Sequence, residues 1–208
     1  MILTGVAVLA FAAIIYALFR AANLFPTTDA EATTEFFFSP ALDNHFENPD
    51  NWIPAYPGVR IGKDTTVIIQ GASYITRYDV NIEGTLRIMM DATLYVSDAK
   101  MAVAQAGEIL NDGELLADSI ENRGSVINRL GAKLDVHDYA AFSGSFTDNR
   151  QGSVFIVSRN LVNDGSFVNQ GLCRVEQSFE NTASFRQSPR AEFILQGAPV
   201  TPDQLDSP

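Results

Sequence analysis

Gly-Ser-Val-Ile-Asn-Arg-Leu-Gly at 124–131 recurs as Gly-Ser-Phe-Val-Asn-Gln-Gly at 165–171, and weaker copies surround both. Each unit reads glycine, a small or acidic residue, an apolar residue, then asparagine, a second glycine and an apolar-x-apolar run. The leading glycines are Gly84, Gly107, Gly124, Gly144 and Gly165, with Ala183 at the equivalent place in a degraded last copy. Successive spacings are 23, 17, 20, 21 and 18 residues. A unit that short cannot be a domain, but it fits one coil of a parallel β-solenoid.

The residues between the glycines agree. Thr66-Val-Ile-Ile-Gln, Tyr74-Ile-Thr, Leu86-Arg-Ile, Leu134-Asp-Val, Val154-Phe-Ile-Val and Phe193-Ile-Leu alternate as short strands do. Three short strands per coil are expected, with glycine supplying positive φ at the corners. After Arg20 only 99–106 has helical composition, and it reads better as a longer corner. Asn111, Asn128, Asn149 and Asn169 hold similar places in successive coils, which predicts a short asparagine ladder. Six repeats at about 4.8 Å per layer make a rod roughly 30 Å long. The expected fold is all-β: a short right-handed parallel β-helix preceded by an apolar α-helix.

The expected organisation is an apolar helix over 1–25, a linker over 26–35, an N-terminal cap over 36–61, the solenoid over 62–196 and a proline-rich tail over 197–208. Residues 2–19 carry no charge and approach the length of a bilayer-spanning helix, with Pro26 as a natural stop. A cleaved signal peptide would normally begin with a basic region, and none precedes this run. Retention as a membrane anchor or as a filament-core helix fits better. Ala13, Ala17 and Ala21 present a small-residue face on which copies of the helix could pack closely. The small polar linker leads into Phe36-Phe-Phe38, Phe46, Trp52 and Tyr56, interspersed with Pro49, Pro54 and Pro57. An open solenoid end exposes apolar core and needs covering, so this segment reads as a cap. The rival reading makes Trp52 and Tyr56 a glycan-stacking platform.

The composition excludes some partners. Lys and Arg number 14 against 25 Asp and Glu, a net charge of −11. Such a surface repels phosphate backbones, which argues against nucleic-acid binding. A single cysteine, Cys173, rules out an intrachain disulfide framework, and its alternating apolar run makes it a core residue.

Asn48-Pro-Asp-Asn-Trp52, Pro57-Gly58, Asp64-Thr-Thr-Val-Ile-Ile69 and Gly84-Thr-Leu-Arg-Ile resemble the opening of bacterial surface and secreted parallel β-helix proteins. The Asn-x-Gly-Ser coils at 122–126 and 163–167 are similar to haemagglutinin-type and autotransporter passenger repeats. The resemblance spans about 45–195 and implies an extracytoplasmic β-helix used for structure or attachment. Bactofilins, polymerising β-helices, are similar in size, but their regular Gly-x-Ile-x-Gly coils are not matched here.

No active site emerges. His45 and His137 are far apart in sequence. Asp135-Val-His-Asp138, with Asp118 from the preceding coil, is the densest polar cluster, and a solvated strand gives the same pattern. Asn-Asp-Gly at 111–113 and 163–165 reads as plain turns. The expectation is a non-enzymatic, self-assembling structural protein without cofactor or metal, tethered or assembled outside the cytoplasm through residues 1–25. Its alternatives are a carbohydrate-binding adhesion module and a bactofilin-like scaffold, and a polysaccharide-active enzyme is a more distant one. The weak capping expected at Phe185 and Phe193 suggests end-to-end association.

Overall fold

The computed structural model describes residues 34–38, 43–71 and 73–201. The expected apolar helix with Ala13, Ala17 and Ala21, the linker up to 33 and the tail from 202 lie outside them. Thr34 and Glu35, assigned above to the linker, already form the first strand. Among the described residues, no helix is long and apolar enough to cross a membrane.

The strands wind into a parallel β-solenoid of about seven coils. Three faces result. Face A stacks 34–37, 65–69, 85–88, 108–111, 125–128, 146–149, 166–169 and 184–187. Face B stacks 73–76, 93–96, 114–117, 133–136, 154–157, 172–175 and 192–195. Face C stacks 60–61, 80–82, 100–103, 119–122, 139–142, 160–163 and 178–181. Inward side chains alternate with outward ones along the rungs, so Leu86, Ile109, Val126, Thr147 and Phe167 form a buried column down face A. Stacked parallel coils make the backbone bonds of one rung depend on the next, and interior rungs leave no free edge.

The corners explain the glycines, and not as expected. Four-residue corners closed by an N–H···O=C bond occur at 62–65, 89–92, 104–107, 129–132 and 150–153. Two-residue corners nest on several of these. A Cβ on Gly124 would lie 2.2 Å from the Gly107 carbonyl oxygen, and one on Gly113 would lie 2.2 Å from that of Met89. Those glycines are needed because one coil's backbone lies against the next. Neither has positive φ. Positive φ belongs instead to Gly131, Gly144 and Gly152, among others.

Two further expectations are corrected. Ser125 pairs with Phe146, so Ser145 is the true counterpart of Gly124, and Gly144 is an inserted residue where the register shifts. Residues 99–106 do not form a long corner. Thr93–Val103 is one strand bent at Asp98, whose φ is 55°, and the corner proper is 104–107. Helical composition lost to coil stacking there, because Met101 and Val103 fill inward positions of face C.

Candidate functional site

Trp52 stands where a cap residue should. Its ring is only 4% exposed, packs edge-on against Phe38 and Phe46 with centroids 4.9 and 4.8 Å apart, and its Nε1 donates to the Phe46 carbonyl at 2.7 Å. A sugar cannot stack on a ring enclosed on that scale, so Trp52 is not a platform. Tyr56 is half-buried, 6.2 Å from both Trp52 and Phe46. Burial raises its phenol above the usual range, with the carboxylate of Glu47 adding to the effect.

The cap is held by a polar hub that sequence reading missed. Asp43 accepts from the His45 backbone N–H at 3.0 Å, from Asn51 Nδ2 at 2.8 Å and from Asn48 Nδ2 at 2.9 Å. The His45 amide, followed by Asn51, holds its carboxyl below the ordinary carboxylate value. The clue in the sequence is Asp-x-x-x-x-Asn-Pro-x-Asn over 43–51, whose short polar residues carry no repeat that would mark them as partners.

The asparagine ladder is present, on the residues expected. Nδ2 of Asn111, Asn128 and Asn149 donates to the side-chain oxygen of the next rung, each at 2.9 Å. The same nitrogens also reach the carbonyls of Lys133, Val154 and Leu172 at 2.8–2.9 Å. Asn169 ends the run on the Glu192 carbonyl. In the first coils the same column holds Ile69 and Ile88, so an apolar stack becomes a hydrogen-bonded one at Asn111. A second, shorter column on face C joins Asn163 to Asn181 at 2.7 Å.

The acidic cluster resolves into ion pairs, two at the corners between faces B and C and one on face B itself. His137 Nδ1 lies 3.3 Å from Asp118 Oδ1, Asp138 pairs with Arg159 at 3.0 Å, and Asp135 pairs with Lys133 at 3.1 Å. The other Asp118 oxygen accepts the backbone N–H of Asp98, fixing the bend there. The structure therefore brings Asp118 to the 135–138 segment, as the sequence suggested. Each carboxylate is engaged with a cation or an amide, and among the described residues no group of three metal-ligating side chains converges. His45, bridged to Ile75 on the first rung of face B, is well away from His137 on the fourth. The Asn-Asp-Gly segments are turns: Gly113 and Gly165 donate their amides to the Asn two residues before.

Cys173 is fully buried and points into the face B column, where burial drives its thiol pKa upward. An oxidisable or nucleophilic role needs a thiolate, and this position opposes one.

Shallow grooves mark the outer surface of the described residues. One of about 360 Å³ on face B is lined by Ile75, Tyr95 and Leu116 with Glu114 at its rim. Another of about 510 Å³ lies beside the cap at His45, Arg77 and Tyr78, and a third of about 210 Å³ on face C lies over Ala102 between Glu83, Glu121 and Arg123.

The C-terminal end is better covered than expected. Phe179, Phe185 and Phe193 pack with centroids 4.9–5.5 Å apart, and Ala198–Pro199 turns back antiparallel on the last rung of face B. At the other end, Trp52–Ile53 lies antiparallel on the first rung of face A. Antiparallel segments at both ends interrupt the parallel template that head-to-tail stacking would extend. No family model, curated protein or solved structure matches this chain.

Proposed function

We propose that this protein is a non-enzymatic structural element: a short, rigid β-solenoid rod carried by an apolar N-terminal segment and used outside the cytoplasm as a surface, appendage or assembly subunit. The carrying observation is the continuous coil stack, in which the described corners between successive rungs from 60 to 195 run from one to four residues with no longer insertion. The stacked amides and phenylalanines favour stiffness over adaptability. Acidic charge on the outer faces favours solubility of the exposed rod. The antiparallel plugs at both ends move the expected association away from the rod ends, to the apolar segment or to the rod's sides.

Fractionation of native material tests this reading. A structural subunit should float with membranes or sediment as an assembly, and alkaline carbonate washing should distinguish an anchored chain from a peripheral one. Recovery only as a free soluble monomer would overturn it.

A further inference from the structure

We infer that face A, with the corner it shares with face B, is a lipid-facing surface on which the rod lies flat against a bilayer. The inference rests on the reading that residues 2–19 enter that bilayer, and it adds the side on which the rod meets it.

The backbone register sets one outward column down face A, on the side nearer face B. Ile53 on the capping strand, Phe37 and Ile68 open it, and Leu110, Ile127 and Val168 continue it. The result is an apolar strip about 34 Å long. Ile53 is 58% exposed and the others are half-buried. Two charged residues interrupt the strip, and each is engaged from within the chain. Arg87 Nε lies 3.5 Å from Asp112. Asp148 is only 7% exposed and accepts from Arg150 Nε at 3.0 Å and from Gln170 Nε2 at 3.1 Å. The strip can therefore leave water without stranding an unpaired charge.

The corner beside the strip supplies the points of entry. Met90 and Leu130 sit in four-residue corners between faces A and B and are 85% and 76% exposed, more than any other large apolar side chain among the described residues. They stand two rungs, or about 10 Å, apart along the axis. A rigid protein partner would have to bridge such tips, whereas a fluid lipid layer closes around them. Arg129 and Arg150 each begin a corner on this ridge and Arg190 lies in another, placing guanidinium groups where anionic headgroups would be. Beyond the ridge the adjoining face B column carries Thr93, Glu114 and Lys133, so the apolar surface stops there.

The occupant follows from where the chain enters. Thr34 opens the first rung of face A, at the end where Ile53 and Phe37 begin the strip. Pro26, which closes the apolar run, stands only eight residues earlier. Eight residues reach at most about 28 Å, less than the length of the strip. With the run in a bilayer, the start of face A cannot move far from the headgroups.

Fluorescence of the full-length chain in liposomes tests this. Met90→Cys and Leu130→Cys carry nitrobenzoxadiazole maleimide, with Tyr139→Cys on face C as the reference and the buried Cys173 left unlabelled. The liposomes are phosphatidylcholine and phosphatidylglycerol, with and without phosphatidylcholine spin-labelled near the headgroup. Blue-shifted emission and roughly twofold quenching by the spin label are expected at 90 and 130, and neither at 139. Adding Met90→Glu to the Leu130 probe should remove about half of that quenching without changing the far-UV melting curve, because the Met90 side chain is largely exposed. A chain that floats with the liposomes yet emits alike from all three sites would overturn the inference and leave the anchor standing. A blue shift without lipid quenching would also overturn it, and would assign the face to a protein partner. A chain that does not float would overturn the anchor and the inference together.

Discussion

Replacing Asn149 by alanine should be among the most damaging single changes in the ladder. Its Nδ2 donates to Asn169 Oδ1 and to the Leu172 carbonyl, each at 2.9 Å, and its Oδ1 accepts from Asn128 Nδ2 at 2.9 Å and from Ser153 Oγ at 2.7 Å. Alanine removes all four bonds and leaves buried partners with fewer bonds than they can make. At about 1 kcal/mol net for each hydrogen bond, the loss is roughly 4 kcal/mol, before the cavity left by the amide is counted. That is a large part of the 5–15 kcal/mol typical of a domain. Asn111 heads the run under Ile88, accepts nothing from the coil before it, and should cost less when changed to leucine, because the apolar column of Ile69 and Ile88 simply extends by one rung. Urea unfolding followed by far-UV circular dichroism gives both midpoints. Equal losses at the two positions, or a loss below about 1 kcal/mol at Asn149, would refute the idea that the ladder acts as a connected unit.

Other outcomes follow from the same geometry. Gly124→Ala should destabilise by several kcal/mol, since its Cβ would sit 2.2 Å from backbone, whereas Gly131→Ala has open space and should cost only about 1 kcal/mol of φ strain, as paired melting curves would record. Phe46→Ala should cost about 3–5 kcal/mol locally and red-shift the emission of Trp52, the chain's one tryptophan, before the solenoid's circular dichroism changes. Asp43 binds its proton less tightly in the fold than in the unfolded chain, so its contribution is complete above the ordinary value of 3.8 and is lost as pH falls through the lower folded value. An acid titration of Trp52 emission should therefore show the cap loosening below about pH 4, and Asp43→Asn should remove that transition. Cys173 should resist thiol reagents in the folded chain and react at the rate of global unfolding.

Coil architecture was legible because it is written in spacing. The Asn column and the strand alternation recur once per coil of about 20 residues, the aromatic cap gathers where an apolar end needs covering, and all are where the residues placed them. The role of glycine was not legible. A corner needing positive φ and a corner pressed against a neighbouring carbonyl select the same residue, and only the stack separates Gly131 from Gly124. The Gly144 register was misread for a related reason. An inserted residue that keeps glycine in a plausible place is invisible until Ser125 is seen opposite Phe146. The Asp43 hub escaped because its bonds join residues two to eight positions apart with no repeat to betray them. Face A's outward column was hidden as well, since the sequence lists its residues one coil at a time and a surface forms only when the coils are stacked.

Electron microscopy of native, full-length material tests the structural role most directly. The account predicts rods of about seven layers, roughly 34 Å long, in regular association with one another or with a membrane surface. A population of dispersed single rods, unassociated with membrane or with other copies, would contradict it.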